Sequence, residues 1–391
     1  MKKFTKIVDK LCRKIFTVPH FESLLTRYHV IRNINYSSET NQKRVLICYL
    51  TEPLFSSASF FSSHAKYYQM LQIMNYFIKD NFIIDICNYV NKDSIGGLDC
   101  AYDIIIGQGI AYDTALTSLK FDKSILFLTE NVPSVVEKKY NERLAYFKDR
   151  HPDISANSSS RRSGIFQTDT IKRSDNIIAI GSKHNLKQLA EINSNIYPIT
   201  VNTSKNNNVT YSSDRVIRNK KNFVWFGSVG LIHKGLDILI DVFREMPECT
   251  LNVYGVPKSE LSLFKKLKCS NTILHPTVDI LSERFVNEVV NNNGFILSPS
   301  CSEGIQTGVA TCMRCGMIPI VSTESGFDPT EGIVILKDCK VETIKETLLE
   351  WINKSDEQIA EASRKAWDFS NEHYTNKRFT EELFDALNKI V

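Results

Sequence analysis

The sequence contains no uninterrupted apolar run of the roughly 18 to 20 residues that a membrane-spanning helix needs. Its basic start is not followed by the continuous apolar stretch of a signal peptide. Of its ten cysteines, only Cys312 and Cys315 form a CxxC pair, and no second pair or histidine partner stands at zinc-finger spacing. These absences predict a cytoplasmic protein whose cysteines are reduced thiols that mostly fill the core.

Two further absences exclude classes of ligand. The segment Gly107-Gln108-Gly109 lacks the third glycine of a dinucleotide fingerprint, because Tyr112 stands at that position. The formal net charge is +4, but residues 1–44 contain ten basic and three acidic residues, which leaves the rest of the chain at −3. Nucleic-acid binding depends largely on neutralising phosphates with a basic surface. The sequence therefore predicts no nucleic-acid partner.

Residues 1–43 form the first predicted segment, which is basic and amphipathic. Between Phe4 and Phe16, apolar residues recur at three- and four-residue steps, with lysines and arginines on the other faces. Such a helix can lie in an anionic membrane surface with its apolar stripe buried. It can equally pack that stripe on the protein's own body. Peripheral contact with the cytosolic face of a membrane through residues 2–17 is therefore one of two open interpretations.

The rest of the chain alternates apolar runs with helical patterns, which is typical of βα units around a parallel sheet. In the predicted first domain, residues 44–205, strands are expected at 44–50, 82–89, 103–107, 124–129, 176–180 and 196–201. The Asn/Ser/Lys-rich residues 206–222 are expected to form a polar linker. With 391 residues and 42% hydrophobic residues, the chain is long enough for about two or three such units.

The alternation restarts in a predicted second domain, residues 223–370. Strands are expected at 223–227, 250–255, 272–274, 294–299 and 318–322, and helices at 234–245, 259–267, 282–291 and 306–315. Residues 371–391 are expected to form a C-terminal helix near the domain interface. The predicted fold class is α/β, with two doubly wound Rossmann-like domains facing a central cleft, where open α/β sheets bind ligands.

Two segments of the second domain have the composition of a binding site. Gly227-Ser228-Val229-Gly230 follows a predicted strand, and Lys234 opens the next helix, so backbone N–H groups and one ammonium could hold phosphate oxygens. The alternative is a merely solvated lysine. Residues 300–308 place Glu303 before a helix, where its carboxylate could accept hydrogen bonds from sugar hydroxyls or merely cap the helix.

Four pieces of sequence, in order and spacing, resemble the nucleotide-sugar-binding domain of the retaining glycosyltransferases of family 4, which have the GT-B fold. The pieces are Phe226-Gly227, His233-Lys234-Gly235-Leu236, Pro299-Ser300-Cys301-Ser302-Glu303-Gly304 and Met313-Arg314-Cys315-Gly316-Met317-Ile318-Pro319-Ile320-Val321. The likeness covers about 100 residues and is weaker outside them.

The resemblance implies that the second domain holds a nucleoside diphosphate sugar as co-substrate. By position, Lys234 would neutralise the diphosphate, and Glu303 would match the first glutamate of the family's E-x7-E motif and contact the transferred sugar. The second glutamate of that motif falls at Thr311, and an arginine common after the first glycine falls at Ser228. The expected donor-binding residues are Gly227, Ser228, Lys234, Gly304, Ile305, Gln306, Thr307 and Thr311.

The acceptor side is expected mainly in the first domain. His64, at the head of a predicted helix, is a candidate catalytic residue with Glu303, although it can equally cap the helix or lie on the acceptor side. Glu130 and Asn131, at the end of a predicted strand, are candidate acceptor-side residues, and the alternative for Glu130 is a surface salt bridge. The arginines Arg143, Arg150, Arg161 and Arg162 border a Ser/Asn-rich stretch, 155–163, that is interpreted as a mobile acceptor-side loop or as solvated charge.

The resulting hypothesis is a retaining glycosyltransferase that moves a hexose from a nucleoside diphosphate sugar to a carbohydrate or lipid-linked glycan acceptor, in bacterial-type surface polysaccharide synthesis. No Asp-x-Asp pair occurs, so a metal-independent enzyme is expected, without a cofactor. The departures at Thr311 and Ser228 leave open an alternative, a non-catalytic glycosyltransferase-like protein that binds a glycan or serves as a scaffold. A sugar-nucleotide epimerase of similar shape is a third interpretation.

Overall fold

The computed structural model describes residues 30–38, 41–55, 64–156, 167–330 and 332–391. The amphipathic segment predicted for residues 2–17, and the arginines Arg161 and Arg162, lie outside these ranges. Within the described ranges, no helix is both long and apolar enough to cross a membrane.

The first sheet has seven strands in the order β1-β3-β2-β4-β5-β6-β7. The strands are β1 (Ile31–Ile34), β2 (Arg44–Tyr49), β3 (Ile83–Asn88), β4 (Tyr102–Gly107), β5 (Phe121–Leu128), β6 (Asn176–Ile180) and β7 (Ile196–Ile199). The central strands β2 to β5 pair in parallel, whereas β1 is antiparallel to β3. Near-continuous apolar runs suit strands that are covered on both faces, and residues 45–49 of β2 are wholly buried.

Five helices connect or flank these strands. They are α1 (Ala65–Lys79), α2 (Gly109–Ser118), α3 (Pro133–Arg150), α4 (Thr168–Arg173) and α5 (Lys183–Ala190). The six predicted strands of this region are confirmed within three residues at their ends. Strand β1 was not predicted, because its four residues are partly exposed and lack an apolar run.

The second sheet has six parallel strands in the order β10-β9-β8-β11-β12-β13. The strands are β8 (Asn222–Phe226), β9 (Thr250–Tyr254), β10 (Thr272–Leu274), β11 (Phe295–Ser298), β12 (Ile318–Val321) and β13 (Val334–Ile335). This is the strand order of a doubly wound Rossmann sheet. The order reverses between β8 and β11, so the loops after these two strands flank the position where such sheets bind ligands.

Helices of the second sheet follow the prediction with two differences, of which one is the unpredicted helix Ser213–Arg218. They are α6 (Ser213–Arg218), α7 (Leu236–Arg244), α8 (Leu261–Leu267), α9 (Thr307–Met313), α10 (Val341–Ile352), α11 (Asp356–His373) and α12 (Asn376–Ile390). The helix expected at 282–291 is instead π-helical at Phe285–Val290, where the N–H of Asn291 donates to the carbonyl of Val286 over 2.9 Å. Six residues are too few for the apolar spacing to distinguish a π-helix from an α-helix, so the sequence pattern could not predict this difference.

Contacts group the described residues into two compact units. One contains the described residues up to Phe127 together with 167–177, and the other contains those of Leu128–Ser163 and Ile178–Val391. The second unit therefore includes α3 and the whole second sheet. Helix α6 lies in the segment expected to be a polar linker, where the hydroxyl of Ser212 accepts a hydrogen bond from the N–H of Arg215. The predicted domain boundaries stay predictions.

The core of the second unit lies between its sheet and the helices α3, α7 and α10. Phe147 of α3, Phe223 of β8 and Phe295 of β11 are all fully buried, and the last two rings stack 5.1 Å apart. At the C-terminus, the carboxylate of Glu382 in α12 accepts a 2.6 Å hydrogen bond from the N–H of Thr200, which follows β7. The helix predicted within 371–391 is thus present and packs beside that strand.

Candidate functional site

Lys234 and Glu303 are in direct contact. Lys234 ends the loop after β8, and Glu303 lies in the loop after β11, so the reversal of strand order brings the two loops side by side. The Lys234 ammonium forms an ion pair with Glu303 Oε1, and the two side chains are only 3% and 7% exposed. The hydroxyl of Ser300 donates to the same oxygen over 3.0 Å. The two residues with the strongest predicted chemistry therefore form one buried, charged centre.

His233 joins this centre from the same loop. Its Nε2 lies 2.6 Å from the carbonyl oxygen of Ser302 and 4.0 Å from Glu303 Oε1. A carbonyl only accepts, so Nε2 carries a proton and donates it to Ser302. The ring is 1% exposed. The sequence marked His233 only as part of a motif, because a lone histidine gives no signal of its contacts.

The backbone of Glu303 is held from two sides. Its N–H donates to the carbonyl of Glu324 over 2.8 Å, and its carbonyl accepts from the side-chain amide of Asn185 over 2.7 Å. The carboxylate of Glu324 in turn accepts from Lys139 of α3 over 3.0 Å, and this hydrogen bond raises the pKa of Lys139. The position of the Glu303 carboxylate is therefore fixed by hydrogen bonds on both sides of its own backbone.

Gly304 lies where no side chain fits. A Cβ added there would be 2.5 Å from the carbonyl oxygen of Thr129 and 3.0 Å from that of Ile180, at the carboxyl ends of β5 and β6. The predicted acceptor-side residues Glu130 and Asn131 follow Thr129 directly. Asn131 is 3% exposed, and its amide donates to Gln188 over 3.1 Å while its oxygen accepts from the N–H of Val132. Asn131 thus shapes the turn beside Gly304, and Glu130 is half-buried next to it.

The remaining predicted donor-binding residues differ in how far they are open to a ligand. Thr307 is exposed and Ile305 is half-buried, whereas the side-chain oxygen of the buried Gln306 accepts a hydrogen bond from Ser298. Thr311 donates its hydroxyl proton to the carbonyl of Thr307 over 2.8 Å within α9. Its oxygen keeps lone pairs but offers no proton to a ribose.

The glycine-rich loop departs from its predicted use. The N–H groups of Gly230 and Leu231 donate to the carboxylate of Glu260 at 3.0 and 3.1 Å. Glu260 is fully buried. The N–H of Gly230 was expected to be available for phosphate. This expectation is wrong, because that N–H already donates to a carboxylate of the chain. Gly227 and Ser228 precede that point in the same loop.

Arg143 and Arg150 are not part of an acceptor-side loop. Both belong to α3, where Arg143 is 7% exposed and donates to the carbonyl of Pro299 over 2.8 Å. Arg150 forms ion pairs with Asp237 and Asp241 of α7. Asp237 is wholly buried, and this burial raises its pKa. Both arginines face inward from a helix that ends before the Ser/Asn-rich stretch, so the expectation that they serve an acceptor is wrong for these two. Residues 157–163 of that stretch lie outside the described ranges.

His64 belongs to the first unit. It is the residue before α1, in an extended backbone conformation, and its exposed ring makes an edge contact with Tyr67 at 5.2 Å. It follows β2, a central strand of the first sheet, and so lies in a connection that leaves the carboxyl end of that strand.

The cysteines near the site carry free thiols. Cys301 is buried, and burial raises the pKa of its thiol to about 12. Cys312 and Cys315, the predicted CxxC pair, are buried as well. Within the part of the chain that the structure describes, no group of three His, Cys, Asp or Glu side chains has an arrangement that could hold a metal ion.

The two Rossmann-like parallel sheets define the GT-B class of fold, and solved structures of that class are similar to this chain. HepE of Anabaena, solved in complex with UDP and glucose, matches 89% of this chain and 100% of its own at a TM-score of 0.57 and 10% identity. Sucrose-phosphate synthase from Thermosynechococcus elongatus matches 89% of this chain and 99% of its own at a TM-score of 0.59 and 10% identity.

A third similar structure is larger than this chain. TarM matches 73% of this chain and 54% of its own, at a TM-score of 0.51 and 13% identity. These neighbours are GT-B glycosyltransferases. No protein-family model matches the sequence, and no curated protein matches it.

Proposed function

We propose that the chain is a metal-independent, retaining glycosyltransferase that moves a hexose from a nucleoside diphosphate sugar to a carbohydrate or lipid-linked glycan acceptor. The observation that supports this most is the buried Lys234–Glu303 pair, which comes from the loops after β8 and β11 of a GT-B fold. Surface polysaccharide synthesis is the proposed setting. The fold by itself names no reaction, so the proposal depends on this pair and its surroundings.

The pair suits a donor that carries negative charge next to hydroxyl groups. A diphosphate bound beside Lys234 would supply a second anion for its ammonium, and Glu303 would then be able to accept hydrogen bonds from the sugar. Because both side chains are almost wholly buried, electrostatic effects on a leaving diphosphate would be stronger than in water. Ser300 and His233 hold the centre in place.

The first experiment measures release of UDP from UDP-glucose by the full chain, with and without candidate acceptors. UDP-glucose is chosen because HepE has been solved with it. We expect turnover by the wild type and loss of turnover in Glu303→Gln. The control is Glu361→Gln, which removes an exposed carboxylate that pairs with Lys365, and should leave turnover unchanged. Equal activity of wild type and Glu303→Gln would contradict the assignment.

Two finer features need their own readouts. If EDTA does not change the rate, the metal-independent mechanism is supported. Nuclear magnetic resonance of the product reports the anomeric configuration, and an inverted product would contradict a retaining mechanism. Replacement of Glu130 or His64 by Ala should raise KM for the acceptor if these residues lie on the acceptor side, whereas the KM for the donor should stay the same.

A second candidate is a non-catalytic relative that binds a glycan or serves as a scaffold. Two observations favour it: Glu260 occupies the backbone donors of Gly230 and Leu231, and Thr311 stands where a second glutamate would bind ribose. Thermal shifts distinguish the candidates, since a ligand that binds the folded state raises its melting temperature. Stabilisation by a nucleotide that is lost in Lys234→Ala favours the enzyme, and stabilisation by glycans alone favours the scaffold.

Peripheral membrane contact through residues 2–17 is a separate proposal, supported by their amphipathic pattern alone. Co-sedimentation with anionic vesicles at low salt tests it. Removal of residues 2–17 should abolish binding, and unchanged binding would contradict the proposal.

A further inference from the structure

A pocket of about 430 Å³ lies in the second unit, away from Lys234 and Glu303. Its walls come from residues 208–218, which directly precede β8, and from residues 286–291, which precede β11. These two strands are parallel neighbours. The pocket therefore adjoins their amino ends, whereas Lys234 and Glu303 follow their carboxyl ends. The two sites lie at opposite edges of one sheet.

Arg215 is the central residue of this pocket. Its side chain is nearly buried, with the residue 4% exposed, and one terminal nitrogen donates to the carbonyl of Cys315. Its Nε has no hydrogen-bond partner among the described residues. Burial lowers the pKa of Arg215, and no carboxylate in the described ranges comes within ion-pair distance of it. A buried charge normally has a charged or fully hydrogen-bonded partner, so this guanidinium is only partly satisfied.

The rest of the lining complements Arg215. Arg218, one turn further along α6, is exposed and lines the same pocket, and its Nε donates to the carbonyl of Asp214 over 3.3 Å. Among the described residues, no carboxylate forms an ion pair with Arg218 either. The uncharged polar lining side chains are Asn208, Thr210, Ser212 and Asn291, and the apolar ones are Val209, Val286 and Val290.

We propose that this pocket binds a small organic phosphate, with Arg215 and Arg218 on the phosphate and the polar lining on the body of the molecule. A guanidinium presents paired N–H donors that match phosphate oxygens. The volume lies in the range of small-molecule sites and exceeds that of a phosphate alone. The inference does not depend on the proposed transferase activity, because none of the pocket residues belongs to the Lys234–Glu303 centre.

Isothermal titration of the full chain with glucose 1-phosphate and with pyrophosphate tests the proposal. Because Arg218 is exposed, Arg218→Ala should fold normally. It should weaken binding about tenfold, because the substitution removes one charge-assisted hydrogen bond. Arg378→Ala is the matched control, since Arg378 is an exposed helical arginine that pairs with Glu382. Lys234→Met separates this pocket from the other site. Arg378→Ala should bind both probes as tightly as the wild type, and Lys234→Met should keep the binding event that Arg218→Ala weakens.

Three results would overturn the proposal. The first is equal affinity of the wild type and Arg218→Ala for the probes. The second is loss of binding in Lys234→Met alone. The third is that neither probe binds the wild type at millimolar concentration. Arg215→Lys gives an independent test that keeps the positive charge. It should weaken binding as well, because an ammonium cannot reproduce the paired donors of a guanidinium.

Discussion

The Lys234 ammonium and the Glu303 carboxylate, 69 residues apart in the sequence, form an ion pair inside the second unit. Neither charge has more than a few per cent of its side chain in contact with solvent. Transfer of such charges from water is costly, so each depends on the other. Because of this interdependence, single and double variants can distinguish the contribution of the pair to folding from its contribution to catalysis.

The first prediction is a strong energetic coupling between these two residues. Lys234→Met and Glu303→Leu should each lower the free energy of unfolding by about 3 to 5 kcal/mol, because each leaves one buried charge alone. The double variant should recover much of that loss, since no charge remains, and yet stay inactive. Urea denaturation and turnover measurements check this. The exposed pair Lys365–Glu361 is the control, with a coupling of about 0 to 1 kcal/mol.

Gly304 supports a second prediction. Gly304→Ala should reduce both stability and turnover, because its Cβ would lie 2.5 Å from the carbonyl oxygen of Thr129 and displace the loop that carries Glu303. The expected loss of unfolding free energy is about 1 to 3 kcal/mol, as for other overpacked positions. Gly97→Ala is the matched control, since nothing lies within 4 Å of a Cβ at Gly97. Equal behaviour of the two variants would show that the Gly304 loop can shift freely.

The third prediction concerns the attachment of α3. Arg150→Met should destabilise the protein, because Asp237 would keep a wholly buried carboxylate without its guanidinium. Burial already raises the pKa of Asp237 in the folded protein. A raised pKa favours the protonated form, so the stability of the folded state increases as pH falls and decreases as pH rises through that pKa. The cost of Arg150→Met should therefore be larger at pH 7 than at pH 5.

Urea denaturation at the two pH values measures this difference. Arg173→Met is the control, because Arg173 pairs with Asp113 at the surface of the first unit. It should cost little at either pH. A cost of Arg150→Met that does not depend on pH would mean that Asp237 remains charged throughout.

A fourth prediction follows from His275. Burial lowers its pKa, and its Nε2 lies 2.8 Å from the side-chain oxygen of Asn252 while its ring stacks on Tyr254 at 4.5 Å. With a lowered pKa, the unfolded chain binds a proton first, so this contribution to stability is present above about pH 6.5 and is lost as pH falls below it. Thermal melts from pH 7.5 to 5.5 should therefore show a smaller decline for His275→Gln than for the wild type. His184→Gln, at an exposed histidine, should decline like the wild type.

The strands could be predicted because buried parallel strands are almost continuously apolar, as in residues 45–49 of β2. Strand β1 was not predicted because its four residues contain no such run. Strand β13 was not predicted because only two residues of the short apolar run 333–336 pair with the sheet. Helix α6 was missed because polar residues dominate it, although Ser212 is a typical residue before a helix.

The site was predictable in its residue types but not in its contacts. Lys234 and Glu303 stood out through motif and loop position, but their pairing depends on the strand order β8-β11, which no local pattern encodes. Glu260 gave no signal at all, since a lone glutamate near a helix start is usually a surface residue. The role of Arg143 was predicted wrongly because its hydrogen bond to the carbonyl of Pro299 joins residues 156 positions apart, which no local pattern shows.

The attachment of α3 to α7 also has a consequence for synthesis. Arg150 is made 87 residues before its partner Asp237. Translation adds roughly 5 to 20 residues per second, so about 4 to 17 seconds pass between the synthesis of Arg150 and that of Asp237. During this time α7, the helix on which α3 packs, does not yet exist. Phe147 and the charged end of α3 must wait for the surface of α7. During that interval, the nascent chain is therefore open to chaperones and to wrong pairings at α3.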